Sequence, residues 1–235
     1  MISKEFNPGL SHPNYLTRKR LLQSVQRYSV QQKGILLDFG CGSKPYRALF
    51  SVDEYIGLDY ENPGHPHINE QIDVFYDGKS IPFKDEHFDS IFSSEVLEHV
   101  FNPGEILKEL NRVLKKDGTI LLTCPFAISE HEVPNDYARY SSYGLRSLLE
   151  RNGFEIISQE KTGNSIETVF QLWNMYLHLH VLTIFRKIPV VRQAARVFTF
   201  VSVNVTALVF SKLLPNRKDL YLNNIVYAKK TKSLV

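Results

Sequence analysis

The stretch GILLDFGCGSKPY, residues 34–46, decides the fold class. Residues 35–39 are an apolar run of strand length that breaks directly into a turn built on Gly40 and Gly42. This is how a nucleotide-binding strand–turn–helix unit begins, yet the spacing G-x-G-x-x-G fails because Pro45 stands where the third glycine would be. Asp38 lies just ahead of the glycines. A carboxylate at that point repels a pyrophosphate and suits a ligand that carries positive charge there.

Outward from this turn the chain alternates. Residues 14–29 have apolar positions at helical spacing and predict an amphipathic leading helix. Short apolar runs at 35–39, 54–58, 88–93 and 118–123 predict strands, with a weaker one near 68–74. Helical patterns fall at 45–51, 95–99 and 104–115, the last closed by Gly118 after a basic turn. A further helix at 143–153, a strand at 154–160 and a final strand within 220–230 complete the pattern. Strands alternating with helices predict an α/β fold: a Rossmann-like, seven-stranded, mostly parallel sheet flanked by helices, with ligands at the carboxyl ends of the strands. The expected organisation is one domain, with a leading helical segment (1–33), a core (34–164), a helical insertion (165–218) and a last strand with its tail (219–235).

Bulk properties exclude several classes. The net charge of +3 is spread out, so no clustered nucleic-acid footprint is expected. The first residues contain no apolar run of signal-peptide type, which predicts a cytoplasmic protein. Cys41 and Cys124 fall on strands expected not to be neighbours, too far apart to bridge, so both are read as free buried thiols. Nothing has zinc-site spacing, the histidines are read as forming no ligand cluster, and no metal is expected.

With these residues in place, the chain resembles the class I S-adenosylmethionine-dependent methyltransferases, in particular the type 11 branch similar to quinone-biosynthesis methyltransferases. LLDFGCGSKPY (36–46) is similar to the first motif of that family and YIGLDY (55–60) to its second. DGKSIPFKDEHFDSIFSSEVLEHV (77–100) and ILKELNRVLKKDGTILLTCPF (106–126) are similar to its third region and to its following helix and strand. The ligand this implies, S-adenosylmethionine, has an ammonium, a sulfonium and no phosphate, which accounts for both Asp38 and the missing glycine. The resemblance implies that Gly40 and Gly42 let backbone approach the methionine portion, with Cys41 between them and Asp38 near the ammonium. It further implies that Asp59 holds the ribose hydroxyls, that Tyr60 lies against adenine, that Asp77 accepts from the adenine amino group, and that Ser94 joins this cofactor-binding set. Taken singly, the glycines also read as an ordinary tight turn and each aspartate as a cap or loop end.

Methyl transfer is an in-line displacement, so positioning and exclusion of water dominate, and a base is needed only to remove a proton from a hydroxyl or amine acceptor. The loop after Cys124 offers His131, Glu132 and Asp136, with His131 the first choice because an imidazole titrates near neutrality. His99 is a second candidate, against the simpler reading that it and Glu98 shape a helix start. Tyr137, Arg139 and Tyr140 suit a polar acceptor such as a sugar, or else clamp the loop, and Trp173 is a further candidate for substrate contact. HEVPNDYARYSSYGLRSLLERNGF (131–154) resembles a segment of family members associated with bacterial cell-surface glycan synthesis, which implies a glycan or lipid-linked precursor rather than a quinone.

Residues 168–185 and 197–211 contain no charged side chain and flank Pro189. Each is short for a spanning helix. The readings left open are a helical cap over the acceptor, a homodimer contact, and a peripheral patch whose aromatic residues enter the inner face of the membrane while Arg186, Lys187, Arg192 and Arg196 meet anionic head groups. The rival functions are an NAD-dependent oxidoreductase or epimerase, disfavoured by Asp38 and the absent glycine, and an inactive cofactor-binding scaffold.

Overall fold

The computed structural model describes residues 2–60 and 71–233, and among these the chain divides into two compact units. One takes in residues 25–125, 131–160 and 224 onward; the other takes in the leading residues to 24, residues 126–130 and residues 161–223.

The first unit is built on seven strands: β1 (Ile35–Phe39), β2 (Glu54–Tyr60), β3 (Val74–Tyr76), β4 (Phe88–Ser94), β5 (Leu114–Pro125), β6 (Phe154–Lys161) and β7 (Asn223–Lys230). Their order in the sheet is β3-β2-β1-β4-β5-β7-β6, and the β3-β2-β1-β4-β5 ladders are parallel. The α/β expectation therefore holds. A central parallel strand is covered on both faces, which is why β1 is apolar apart from Asp38 and is buried from Leu36 to Phe39. Helix α1 (Tyr15–Ser29) precedes the sheet, α2 (Pro103–Val113) enters β5 and α3 (Ser142–Arg151) precedes β6. Ile106, Leu107 and Leu110 of α2 and Leu145 and Leu149 of α3 recur at helical spacing and join one core with Leu37, Ile91 and Ile120 of the sheet. The order of strands reverses between β1 and β4, and a crevice forms at such a switch point beyond the carboxyl ends of the strands.

Several boundaries differ from the expected ones. Helix α2 stops at Val113, because Leu114 pairs with Phe88 and is drawn into the sheet; Gly118 lies inside β5 instead of closing a helix. The predicted helices at 45–51 and 95–99 are single 3-10 turns, Arg47–Leu49 and Leu97–His99. Of the weak strand near 68–74, residues 68–70 lie outside the described residues and the observed strand is Val74–Tyr76.

The second unit contains α4 (Ser165–Tyr176), a wide π-helical turn (Leu177–Val181), a 3-10 segment (Leu182–Lys187) and α5 (Pro189–Leu213). Pro189 is at the start of α5, where its missing N–H costs nothing. Asn174 donates to Asn204 across the two helices at 2.8 Å, and Asn204 in turn donates to the carbonyls of Leu10 and His12. Gln171 donates to the Pro13 carbonyl, and Arg20 donates to both oxygens of the buried Glu167 through Nε and Nη2. Leading residues and helical insertion thus form one body. The two uncharged stretches were read as too short to span a bilayer, but the second lies within a 25-residue helix that, by length and composition alone, is long and apolar enough to do so.

Candidate active site

The turn after β1 forms as its glycines require. Gly40 has φ +70° and Gly42 φ +46°, left-handed conformations that favour glycine. A Cβ at Gly40 would stand 2.3 Å from Cγ2 of Val96, so backbone and the loop beyond β4 approach each other there as only glycine allows. The Gly42 N–H donates to Asp59 Oδ2 at 2.7 Å, while Asp59 Oδ1 accepts from Tyr60 N at 2.8 Å. The acid near the end of β2 is thereby fixed against the glycine turn after β1.

Asp38 is 3% exposed and accepts from the Tyr55 hydroxyl, a partner the sequence reading missed. Burial pushes its carboxyl up to about 7, against the lowering influence of Tyr55. Cys41 is buried, and burial beside Asp38 pushes its thiol up. Cys124 is likewise free and buried. Tyr60 is half-exposed and meets Tyr76 edge-on at 5.9 Å. Asp77 is exposed, and its Oδ1 accepts from Lys79 N and Ser80 N, so the turn it caps engages one of its oxygens. Ser94 pairs with Thr123 across the ends of β4 and β5 at 3.0 Å. Lys44, in the glycine turn, reaches Asp73 at 2.6 Å.

This set fits S-adenosylmethionine: a glycine cradle that a Cβ would fill, a buried acid with no pyrophosphate-binding turn, and a second acid anchored beside it. Asp38 and Asp59 are the residues that would hold its ammonium and its ribose hydroxyls.

Beyond β4 the chain brings together residues far apart in sequence. The N–H groups of Tyr137 and Ala138 donate to the Glu98 carbonyl oxygen at 2.8 and 3.2 Å and hold the loop after β5 against the 3-10 turn. The His99 and His131 rings meet edge-on with centroids 4.8 Å apart. The expectation that the histidines form no cluster is therefore corrected. Glu98 is buried completely and makes no helix-capping bond, which corrects its reading as a helix-start residue; burial, reinforced by Glu95, raises its carboxyl well above the usual carboxylate range.

Asp136 is the second correction. Both its oxygens accept from the Arg139 guanidinium at 2.5 and 2.6 Å, and Oδ2 also accepts from His131 N at 3.0 Å. Arg139 holds this carboxyl far below the usual range, which makes Asp136 a poor proton acceptor. Arg139, expected to offer a fixed charge to the substrate, spends that pairing on the loop. Asp136 Oδ2 lies 3.5 Å from His131 Nδ1. Tyr137 is half-exposed and bonded to Asn135, whereas burial pushes the Tyr140 hydroxyl up to about 12. Trp173 lies in the other unit, stacked on Tyr176.

Comparisons agree with this geometry. Residues 37–122 match the family model described as a methyltransferase domain. A protein of Mycolicibacterium smegmatis, named as a probable S-adenosylmethionine-dependent methyltransferase, is 28% identical over 63% of this chain and 63% of its own length. A ubiquinone biosynthesis O-methyltransferase of Dictyostelium discoideum is 29% identical over 31% of this chain and 22% of its own, too narrow a match to fix the quinone branch. The fold resembles that of the Haemonchus contortus phosphoethanolamine N-methyltransferase 2 in complex with S-adenosyl-L-methionine, with a TM-score of 0.54, 16% identity, and coverage of 91% of this chain and 53% of that one. The chain spans 22–63% of the length of the curated relatives it matches. Strand order, glycine turn and paired acids thus accompany a segment, residues 37–122, that matches the methyltransferase-domain model, on a fold similar to that of a solved S-adenosylmethionine-bound methyltransferase.

Proposed function

We propose that the protein methylates a hydroxyl or amine of a glycan or lipid-linked glycan precursor at the inner face of an anionic membrane. The observation that carries the methyl-transfer part is the pair Asp38 and Asp59, converging on the glycine turn at the switch point of the sheet. When bound, S-adenosylmethionine supplies an electrophilic methyl group. The chain's own residues do the rest. Asp38 and Asp59 orient the cofactor, the packing of Val96 over Gly40 keeps that wall dry, and His131 accepts the proton of the acceptor. Calorimetry with S-adenosylmethionine and NAD tests the first half, since binding of NAD alone would overturn it. Labelled-methyl incorporation into glycan, lipid-linked and quinone precursors tests the second.

Asp38 makes cofactor binding depend on pH. In the free protein its carboxyl stays protonated up to about 7. A cationic ligand favours the ionised form, so affinity rises with pH and binding releases a proton at lower pH. The ionised fraction goes from about a tenth at pH 6 to about nine-tenths at pH 8, so the affinity for S-adenosylmethionine increases roughly tenfold over that interval. For the free protein the sign is opposite: a folded value raised above the unfolded one means stability falls as pH climbs from about 4 to about 7. Titration calorimetry at three pH values checks the first statement, and a flat profile would remove Asp38 from contact with the ammonium.

The membrane part is supported by the second unit. Residues 168–218 include seven Lys and Arg and no Asp or Glu, and α5 exposes Val190, Phe198, Val209 and Leu213. Exposed apolar surface on a segment whose charged Lys, Arg, Asp and Glu residues are all basic suits anionic head groups. Phe198 is 75% exposed. Burying it in lipid is worth about 1.5–3 kcal/mol, so Phe198→Asp weakens co-sedimentation with phosphatidylglycerol vesicles at least about tenfold. A stable dimer that ignores vesicles would assign this face to a second copy.

A further inference from the structure

Arg192 and Arg196 begin a stripe of α5 that continues at helical spacing through the buried Phe200, Asn204 and Ala207. Both cations are half-buried on the inward side of the helix, whereas Val190 and Phe198 face outward. Asn204 on that stripe donates to the carbonyls of Leu10 and His12, and Phe200 meets the ring of His178, in the π-helical turn, at 5.9 Å. Charge ties the four basic groups together. Burial, with Arg18 and Arg196 beside it, holds the His12 imidazole below the ordinary histidine range, against the opposing influence of Glu5. Burial, with Arg196, His12 and Arg192 beside it, does the same to His178. Three segments of the second unit thus bring their cations to one place.

The acids do not match them. Residues 168–218 contain no Asp or Glu, Glu167 is committed to Arg20, and Glu5, which reaches His12, is itself exposed. Nε of Arg192 is shut off from solvent without an acceptor, and neither Arg192 nor Arg196 forms an ion pair among the described residues. A guanidinium drawn out of water without a counter-charge is costly, which is why arginine is rarely buried unless paired. His12 accepts from Asn14 N at Nδ1, 3.1 Å away; a backbone N–H only donates, so the proton of the neutral ring is at Nε2, which is a further donor. We propose that His12, His178, Arg192 and Arg196 bind a phosphate group, carried on a membrane lipid head or on a soluble phosphoester. Guanidinium forks match paired phosphate oxygens, and a doubly charged phosphate balances two cations where one carboxylate balances one. This goes beyond the membrane reading, which needs only exposed apolar surface and diffuse positive charge, and it does not rest on it.

The test is calorimetric titration of glycerol 3-phosphate into the full-length protein, with sodium chloride at matched ionic strength as the control. The expected result is one molecule per chain, bound at least about tenfold more weakly by Arg192→Gln and by Arg196→Gln, and within about twofold of the parent by Lys212→Gln, whose exposed ammonium is on the same helix. Glycerol 3-phosphate is also expected to raise the unfolding temperature of the parent and of neither arginine variant, a response that arginines with a merely structural role do not give. Vesicles of phosphatidylglycerol that displace bound glycerol 3-phosphate assign the site to a lipid head, and vesicles that bind without displacing it assign the site to a soluble phosphoester. A protein that co-sediments with these vesicles yet binds no glycerol 3-phosphate, or whose binding falls as far in Lys212→Gln as in the arginine variants, overturns the phosphate site and leaves the membrane reading standing. Glycerol 3-phosphate binding without vesicle binding does the reverse.

Discussion

Asp59→Ala weakens S-adenosylmethionine binding roughly 10²–10⁴-fold. The carboxylate is positioned by the Gly42 and Tyr60 N–H groups, which take one bond on each oxygen and orient the remaining lone pairs. Two charge-assisted bonds to ribose hydroxyls at about 1.5–3 kcal/mol each account for the loss. The alanine variant also strips the Gly42 N–H of its acceptor, which loosens the turn itself. Asp59→Asn separates the two effects, since it keeps one acceptor oxygen for the turn and loses the charge; its loss is expected to be smaller than that of alanine. Asp77→Ala serves as the comparison, because that carboxylate already caps the Lys79 and Ser80 N–H groups at an exposed position. Calorimetry on the three variants reads the series, and an unchanged affinity in Asp59→Ala would hand the ribose to another residue.

The cofactor half of the site was legible because it is local. Asp38, Gly40 and Gly42 lie within five residues, and Asp59 ends the strand that pairs with theirs, so strand periodicity and one turn bring them together. The acceptor half was not, because it depends on a loop path that no period encodes. Glu98 and His99 reach His131 only because Tyr137 and Ala138 bond back to the Glu98 carbonyl. Nothing in the spacing announces that contact, although Glu95, Glu98 and His99 at the end of a predicted strand were a signal worth more weight. The reverse error was made at Asp136 and Arg139, each read as chemistry open to substrate when three residues of spacing in a tight loop let them neutralise one another. Similarly, the helical period through Lys115 continued past the true end of α2, because the pull of Leu114 into the sheet beside Phe88 is a tertiary effect that propensity does not contain. In the second unit the charge-free stretches were visible, but the continuity of α5 from Pro189 through Arg192 and Arg196 into the second stretch was not.

His131→Ala is the substitution that separates binding from turnover. The residue lies in the first unit, on the loop that closes over the 3-10 turn, with its ring against His99 and its backbone N–H on Asp136. The bonds of Asp38 to Tyr55 and of Asp59 to Gly42 and Tyr60 do not involve it, so cofactor affinity is expected to stay within about twofold of the parent. Turnover with the acceptor identified by labelled-methyl screening is expected to fall roughly 10²–10⁴-fold at saturating cofactor, because handling the acceptor's proton matters only on the way to the transition state. Working at saturation removes the pH-dependent contribution of Asp38, which acts on affinity and not on the bound complex. Asp136→Asn supplies the graded control. It weakens the grip of Arg139 on the loop and leaves the imidazole present, so its loss of turnover should be smaller than that of His131→Ala. If Asp136→Asn costs as much as His131→Ala, the loop's position and not the ring is what the reaction requires; if His131→Ala keeps most of its activity, proton handling belongs to Glu98 and His99 on the facing turn.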